Sequence, residues 1–565
     1  MFKGHPKGLY ALALANTGER FGYYTMLAIF MLFLQAKFGW GGSLASTIYA
    51  VFLALVYFFP VIGGIVADKI GYGKCVVVGV CVMFAGYVAL SIPTAAGVLG
   101  IVLMLLALLL IAIGTGLFKG NLQVLVGNLY DDPKDAARRD SAFSLFYMAI
   151  NVGAMFAPAA ATAMTNKFLA KAVLIYKADI PALAHQFLNG TITPENTDRL
   201  QQLASMMPGA PAQMGLGDFS QYYITNLSSS YNMGFAIACV SLVVSLLIYI
   251  TTRNWFKHAD VNAKQAVAKG SAEAVELTPK QTKDRIVALC LVFAVVIFFW
   301  MAFHQNGQSL TWFARDYTQP FAEGGIRAGF SIWILALIAV SVYTLFGIFQ
   351  SEKSRGKILC GVATALLWVG VVWIYKGMPS PLEIQPQIFQ QFNAFFVVAL
   401  TPVSMAIFSA LAAKKSEKHP AGLEPSAPKK IGLGMLVAAL GYVVMMLASR
   451  GQASPSELAG TVSPDPVVPG YLIMTYLVLT FAELLLSPMG ISFVTKVAPP
   501  KVKGLMMGLW FAATAVGNYL SSIPGLLWDK VPLWANWGIL MALCVIAAVI
   551  MFAMLKKIEA ATADC

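Results

Sequence analysis

The chain has 565 residues, of which 58% are hydrophobic and only 12% charged, and its formal net charge is +13. Soluble domains carry about 25% charged residues, so the composition excludes an ordinary soluble enzyme or binding module. Runs of about 20 apolar residues recur along the chain and predict membrane-spanning helices rather than barrel strands. We attribute the positive charge to cytoplasmic loops rather than to nucleic-acid binding.

The apolar runs predict about fourteen spans. Their approximate limits are 8–36, 43–67, 75–94, 97–129, 140–165, 231–255, 285–315, 330–350, 357–376, 388–413, 430–449, 470–496, 503–526 and 534–555. With both termini in the cytoplasm, the Lys and Arg residues fall mainly in inner loops, as the positive-inside rule requires. We therefore expect a multi-pass protein of the cell membrane, and of the inner membrane in a bacterium.

Three segments interrupt this series of spans. Residues 166–229 form an outer insertion, and residues 330–376 form a hairpin of two spans with almost no interior charge, which favours a lipid-facing addition. Residues 257–284 are polar and basic, and we interpret them as a cytoplasmic linker. The linker separates an N-terminal half, 1–256, from a C-terminal half, 285–565.

The first predicted span contains adjacent charged residues, Glu19 and Arg20. A charge at the centre of a bilayer costs about 2.5–3.5 kcal/mol, so both are expected to face a wet cavity, a partner or a substrate. Residues three, four and seven apart share a helix face. The face containing this pair comprises Asn16, Glu19, Arg20, Tyr23 and Leu27, with Tyr24 beside it. The alternative is a structural Glu–Arg pair that locks helix packing.

Other polar or aromatic residues lie at comparable depth in later spans: Lys119, Asn151, Trp300, His304, Asn393, Glu483 and Trp510. Arg20 and Lys119 belong to the N-terminal half and Glu483 to the C-terminal half. A cavity between the halves would suit a zwitterion whose carboxylate faces the two cations and whose ammonium faces Glu483. Individually, a buried Lys is more often paired structurally, and a Trp at a span end more often anchors the interface.

The sequence lacks the motifs that would favour an enzyme. It contains no paired carboxylates at catalytic spacing, no His-Glu metal motif and no Gly-x-Ser-x-Gly elbow. We therefore expect neither catalysis nor a bound metal or cofactor.

Several motifs resemble those of a known family. Gly64 to Lys74 resembles the loop between the second and third helices of the major facilitator superfamily. Glu19-Arg20-Phe21-Gly22-Tyr23-Tyr24 is similar to the first-helix signature of the proton-dependent oligopeptide transporters. Three further segments resemble motifs of that family. Phe146 to Gly153 resembles its fifth-helix motif, Phe481 to Lys496 its tenth-helix motif and Met506 to Phe511 its eleventh-helix motif.

The resemblance implies a major facilitator fold, all-α, with two six-helix bundles plus the extra hairpin between the seventh and eighth helices. It also implies import of di- and tripeptides by alternating access, with protons as the coupling ion and a monomer as the functional unit. The site is then expected between the bundles near the midplane. The substrate-binding residues carried over are Arg20, Tyr24, Tyr57, Lys119, Asn151, Trp300, Asn393, Glu483 and Trp510. The proton-coupling candidates are Glu19, His304 and Glu483.

Three residues depart from the family pattern. Asn16 replaces a Glu, Leu27 replaces a frequent Arg, and His304 replaces an acid. In the family the last two positions can pair across the outer gate, so their joint absence indicates a rewired gate. His titrates near pH 6.5, so His304 is either a substitute proton acceptor or a neutral core residue.

Two alternatives remain open at this point. One is the same fold carrying a non-peptide or peptide-like solute, with altered or absent proton coupling. The other is a membrane receptor that binds peptides without moving them, which long soluble signalling domains would favour.

Overall fold

The computed structural model describes residues 4–131, 138–260, 278–414, 423–499 and 502–562. The long helices up to residue 260 are α1 (Lys7–Phe38), α2 (Gly42–Ile70), α3 (Tyr72–Ser91), α4 (Val98–Asn128), α5 (Arg139–Lys171) and α8 (Leu216–Thr251). Two short helices lie between α5 and α8, namely α6 (Ile180–Leu188) and α7 (Pro194–Ser205).

The remaining described residues form a second series of helices. They are α9 (Pro279–Phe303), α10 (Ser309–Asp316), α11 (Ile332–Gln350), α12 (Ser354–Lys376), α13 (Gln391–Ala413), α14 (Ala427–Ala448), α15 (Pro455–Leu458), α16 (Gly470–Val497), α17 (Lys503–Leu520), α18 (Ile523–Leu527) and α19 (Leu533–Ala561). Two strands of two residues each, β1 (Phe321–Ala322) and β2 (Leu382–Glu383), pair antiparallel.

The helical architecture confirms the predicted all-α membrane protein. Within the described ranges, thirteen helical segments are long and apolar enough to cross a membrane. The predicted span 503–526 corresponds to α17 followed by α18, which a short turn separates.

The helices group into two sets by their contacts. In the first set α1 packs between α5 and α8, and α4 packs against α2 and α3. In the second set α14 packs against α16 and α19, and α17 packs against α9. The two sets, called the first and second halves below, meet mainly through α2 with α17 and α5 with α13.

The central position of α1 explains how its charges are kept from lipid. A side chain at Gly153 of α5 would place its Cβ 2.7 Å from the carbonyl oxygen of Thr17, so glycine permits this close approach. On the side of α1 that faces α8, a Cβ added at Gly22 would lie 3.0 Å from Ala238 Cα. Because neighbours approach closely on both sides, the polar face of α1 is enclosed by protein.

The sixth spanning helix begins earlier than the sequence predicts. We expected it to start near residue 231, but α8 starts at Leu216, inside the predicted insertion. Phe219, Tyr223 and Leu227 in this extension are fully buried, and α8 packs against α6. The insertion thus supplies the apolar cover that allows the helix to continue past the expected boundary.

The middle of the predicted linker, residues 261–277, lies outside the described residues. The first residues of the linker, before residue 261, are hydrogen-bonded to the start of α3 and the end of α4. The backbone N–H of Gly73 donates to Asp260 Oδ1 at 2.9 Å, and Asn128 Nδ2 donates to the carbonyl of Ala259 at 2.9 Å.

The hairpin formed by α11 and α12 lies at the edge of the molecule. Helix α11 packs against α13 and makes a smaller contact with α5, whereas α12 packs against α11. Trp333 and Trp373 are 65% and 77% exposed, so much of the hairpin presents apolar surface to its surroundings.

The predicted span 285–315 is confirmed as a segment long and apolar enough to cross a membrane, Pro279–Asp316, but its α-helix is interrupted. Helix α9 ends at Phe303, and a 3-10 turn over His304–Gly307 leads into α10. Two carbonyl groups at the end of α9 accept hydrogen bonds from side chains. Gln305 Nε2 donates to the Met301 carbonyl at 3.0 Å, and the Tyr442 hydroxyl donates to the Ala302 carbonyl. A Cβ at Gly307 would collide with the Tyr49 hydroxyl, so the break also permits close approach of α2.

Candidate functional site

Glu19 and Arg20 form a local ion pair on α1. Arg20 donates from Nε to Glu19 Oε2 and from Nη2 to Oε1, the latter at 2.6 Å, and both residues are at least 97% buried. The guanidinium also lies 4.7 Å from the centre of the Tyr23 ring. Its third nitrogen, Nη1, makes no hydrogen bond to the described part of the chain, so it can donate to a ligand.

Lys119 on α4 is a cation without a contacting acid among the described residues. Its Nζ lies 3.7 Å from the centre of the Tyr57 ring on α2, which is a close cation–π contact. Lys119 also interacts electrostatically with Glu19 and Arg20, so the first half gathers two cations and one acid in one region. The net positive charge of this region is suited to a carboxylate.

Glu483 on α16 is a buried acid with neutral donors. Its exposed fraction is 6%. Tyr147 on α5 donates to Oε1 at 2.7 Å, and Asn393 on α13 donates to Oε2 at 2.9 Å. Over the described ranges no Lys, Arg or His lies within ion-pair distance of it. The acid of the second half is therefore separated from the cations of the first.

Two of the predicted aromatic residues, Tyr24 and Trp300, differ in what surrounds them. Tyr24 packs edge-on against Tyr23, with ring centres 5.3 Å apart, and it interacts electrostatically with Glu483. The Nε1 of Trp300 is buried and has no hydrogen-bond partner among the described residues. An indole N–H in this position can donate to a peptide carbonyl.

Asn151 and Trp510 make mainly internal contacts in this conformation. Asn151 Nδ2 donates to the carbonyl of Tyr147 on the same helix at 3.1 Å. Trp510 is 3% exposed, packs at 6.0 Å from the Phe293 ring, and fills the space beside Gly490. Their predicted contact with substrate stays a prediction.

His304 lies at the break in the seventh span, between the rings of Trp300 and Tyr57 at 5.4 and 6.1 Å. Its Nδ1 is 3.1 Å from the Trp300 carbonyl oxygen. Because a carbonyl only accepts, Nδ1 carries the hydrogen and Nε2 is the nitrogen that could take a proton. Lys119 is the charged group that interacts with this imidazole.

Tyr147 contacts the predicted site residue Glu483, and the sequence reasoning missed it. It lies in the motif Phe146 to Gly153, and it precedes Asn151 by four residues, so the two share a helix face. That spacing was the available indication. Its contact with Glu483, 336 residues away in the chain, could not be deduced from spacing.

The end of the molecule where α1 ends and α2 begins is closed by amide side chains, and it is the outer end when both termini are in the cytoplasm. We call the following set of hydrogen bonds between the halves the outer closure. It comprises Ser46 Oγ to Gln308 Oε1 (2.5 Å), Gln390 Nε2 to Ala28 O (3.1 Å), Gln387 Nε2 to Thr162 Oγ1 (3.0 Å), Gln385 Nε2 to Asn166 Oδ1 (2.7 Å) and Gln186 Nε2 to Ala459 O (2.6 Å).

Charged contacts contribute less to this closure. Lys177 and Glu383 are 3.6 Å apart, but their side chains are 33% and 51% exposed, and such pairs contribute about 0–1 kcal/mol. Arg315 pairs with Asp316 beside it and donates from Nη1 to Gln35 across the interface at 2.5 Å. Neither Leu27 nor the His304 side chain contributes a hydrogen bond to this set among the described residues, and glutamine side chains take part in all five bonds.

A family model described as the POT family matches residues 73–278 and 369–533. These ranges include Lys119, Asn151, Asn393, Glu483 and Trp510. They leave out the first two helices and residues 279–368, where the seventh span is broken and the hairpin begins.

Comparison with known proteins extends the match to nearly the whole chain. The peptide transporter YePEPT of Yersinia enterocolitica is 28% identical over 93% of this chain and 88% of its own length. A di-/tripeptide transporter of Lactococcus lactis subsp. cremoris is 24% identical over 92% of this chain and 89% of its own.

Solved structures show the same fold. A crystal structure of the peptide transporter POT in complex with sulfate has a TM-score of 0.62 at 23% identity, covering 100% of this chain and 97% of that one. A POT family transporter in complex with 5-aminolevulinic acid has a TM-score of 0.65 at 18% identity, covering 99% and 98%. With the family match over most of its length, the chain belongs to the POT family of membrane transporters.

Proposed function

We propose that the protein is a proton-coupled symporter that imports di- and tripeptides by alternating access, with both termini in the cytoplasm. Membership of the POT family and the peptide transporters among its relatives support this function. The proposed site lies between the halves and comprises the residues predicted from the sequence together with Tyr147.

The observation that carries the proposal is the separation of Lys119 from Glu483. Lys119 has no contacting acid and Glu483 no contacting cation among the described residues, and the two belong to different halves. Unpaired charges in an apolar interior are costly. A peptide with free ends provides an ammonium for Glu483 and a carboxylate for Lys119, so it neutralises both and joins the two halves.

The Glu19–Arg20 pair gives a physical route for proton coupling. Both Glu19 oxygens accept hydrogen bonds from Arg20. A proton on Glu19 weakens this pair and frees Arg20 Nε and Nη2 for the peptide carboxylate. By linkage, bound peptide then raises the affinity for the proton as much as the proton raises the affinity for peptide. Glu483 and His304 are the other candidates, since protonation of either changes the charge between the halves.

A second candidate substrate is a small non-peptide zwitterion, carried with altered proton coupling. The two separated anchors would accept any molecule with an amino and a carboxyl group, and the replacement of the gate pair by Leu27 and His304 favours altered coupling. Competition of uptake by di-, tri- and tetrapeptides discriminates, because a peptide carrier should respond to the first two and not to the third.

The proton coupling is tested in proteoliposomes loaded at neutral pH. An imposed acid-outside gradient should drive accumulation of labelled alanyl-alanine above the external concentration, because protons and peptide move together. Equal accumulation with the gradient collapsed by an ionophore would contradict coupling. Liposomes without the protein provide the background.

Glu483→Gln should lower the kcat/KM for alanyl-alanine uptake about 30-fold or more, because it removes the charge that pairs with the ammonium. Glu352→Gln, at an exposed position in the turn of the hairpin, is the matched control and should transport normally. Both variants should keep the melting temperature of the wild type. Normal uptake by the Glu483 variant would remove this acid from the site.

Gln308→Ala should shift the protein toward conformations that are open at the outer end. The variant loses the hydrogen bond that Ser46 Oγ donates to Gln308 Oε1 across the halves at 2.5 Å. It also loses the bond that Gln308 Nε2 donates to Ser521 Oγ within the second half at 2.7 Å. A net loss of about 1 kcal/mol changes the open population about fivefold. Spin labels at Ser43 and Lys530, one on each half, report the opening as a longer distance.

The control for this experiment is Gln221→Ala, which removes a bond from Gln221 to Thr225 within α8 at 3.1 Å. It should leave the label distances unchanged. If Gln308→Ala gave the same distances as this control, the outer closure would not depend on the glutamine.

A further inference from the structure

Glu483 receives one donor from each half of the protein. The Tyr147 hydroxyl, from the first half, lies 2.7 Å from Oε1. The Asn393 amide, from the second half, lies 2.9 Å from Oε2, and the same Nδ2 also donates to Thr480 Oγ1 at 3.1 Å. Asn393 is therefore fixed relative to Glu483 within one half, whereas Tyr147 reaches it across the interface.

The bond from Tyr147 has the geometry of a strong hydrogen bond to a carboxylate. A distance of 2.7 Å is typical for O–H···O, and an ionised acceptor makes such a bond about twice as strong as one between neutral groups. In a buried site this bond holds the Glu483 charge. An ammonium group that binds Oε1 from the cavity must therefore replace the hydroxyl or share the oxygen with it.

We propose that Tyr147 acts as an internal competitor for the amino group of the peptide. Its hydroxyl occupies Glu483 Oε1, is displaced when the amino group binds, and returns to the carboxylate when the peptide leaves. The inference rests on the proposed peptide function and assigns to this tyrosine the task of keeping the amino end weakly enough bound for release.

The opposite end of the site has no such hydrogen bond between the halves. Lys119 is covered by Tyr57 at 3.7 Å, but both belong to the first half, on α4 and α2. A carboxylate that displaces the Tyr57 ring breaks no bond between the halves. An amino group that displaces Tyr147 breaks the hydrogen bond from Tyr147 to Glu483, which joins the halves. The amino end of the ligand is therefore the end whose binding breaks a hydrogen bond between the halves, whereas the Tyr57 ring meets the second half through its contact with His304 at 6.1 Å.

The test compares wild type and Tyr147→Phe with two ligands. Alanyl-alanine has the amino group, and propionyl-alanine is the same molecule with that group replaced by hydrogen. Binding is measured at neutral pH on the full-length protein in lipid nanodiscs. The variant should bind alanyl-alanine about tenfold more tightly, because it loses one competing hydrogen bond to a charged group. Its affinity for propionyl-alanine should not change.

Transport gives a second readout that a purely structural role would not produce. In proteoliposomes the KM of Tyr147→Phe for alanyl-alanine should fall, and kcat should fall with it, because release becomes slower. Tyr222→Phe is the matched control, since it removes a tyrosine hydroxyl that donates to the Ala172 carbonyl at 3.1 Å within the first half. Its binding and transport should equal those of the wild type.

The possible outcomes separate this inference from the proposed function. If the wild type binds alanyl-alanine and the folded variant binds it equally or more weakly, the competitor role is wrong. Weaker binding of both ligands would mean instead that the hydroxyl contacts the ligand directly. If the wild type binds neither ligand, the peptide function fails, and the inference fails with it.

Discussion

The structure depends on the enclosure of a few charges inside an apolar protein. Glu19 and Arg20 neutralise each other on α1, whereas Lys119 and Glu483 are held by aromatic, hydroxyl and amide groups. Charges at this depth are tolerated where they face protein or a cavity. The packing of α1 between α5 and α8 provides that enclosure, and the division of the helices into two halves keeps Lys119 and Glu483 apart. A zwitterionic ligand is the simplest molecule that completes the arrangement.

The end of the molecule that holds the outer closure is joined mainly by neutral hydrogen bonds between the halves. Leu27 is 94% buried and carries no charge, and His304 Nδ1 bonds to the Trp300 carbonyl near the end of α9. Glutamine side chains from the second half, Gln308, Gln387 and Gln390, make the contacts instead. Neutral amides do not titrate, so opening of this end is expected to depend little on pH by itself. Proton sensitivity would then arise in the centre, at Glu19, Glu483 or His304.

Much of this arrangement could be predicted from the sequence, because a charge within an apolar run is conspicuous. Glu19, Arg20, Lys119 and Glu483 were identified for that reason, and the spans follow from apolar length. Tyr147 was missed because a tyrosine in a membrane helix is unremarkable until its partner is known. The break at His304 was missed because it depends on side chains from other helices, such as Tyr442 and Tyr49, that satisfy or crowd the backbone there. The early start of α8 likewise depends on cover from the insertion.

The central claim is that one ligand joins Lys119 and Glu483 across the two halves. A structure of the full-length protein with bound alanyl-alanine, determined by electron cryomicroscopy in nanodiscs, tests it most directly. The account predicts the ammonium within about 3 Å of Glu483, the carboxylate at the same distance from Lys119 or Arg20, and the Tyr147 hydroxyl displaced from Oε1. A peptide bound in the reverse orientation, or bound entirely to one half, would contradict the account.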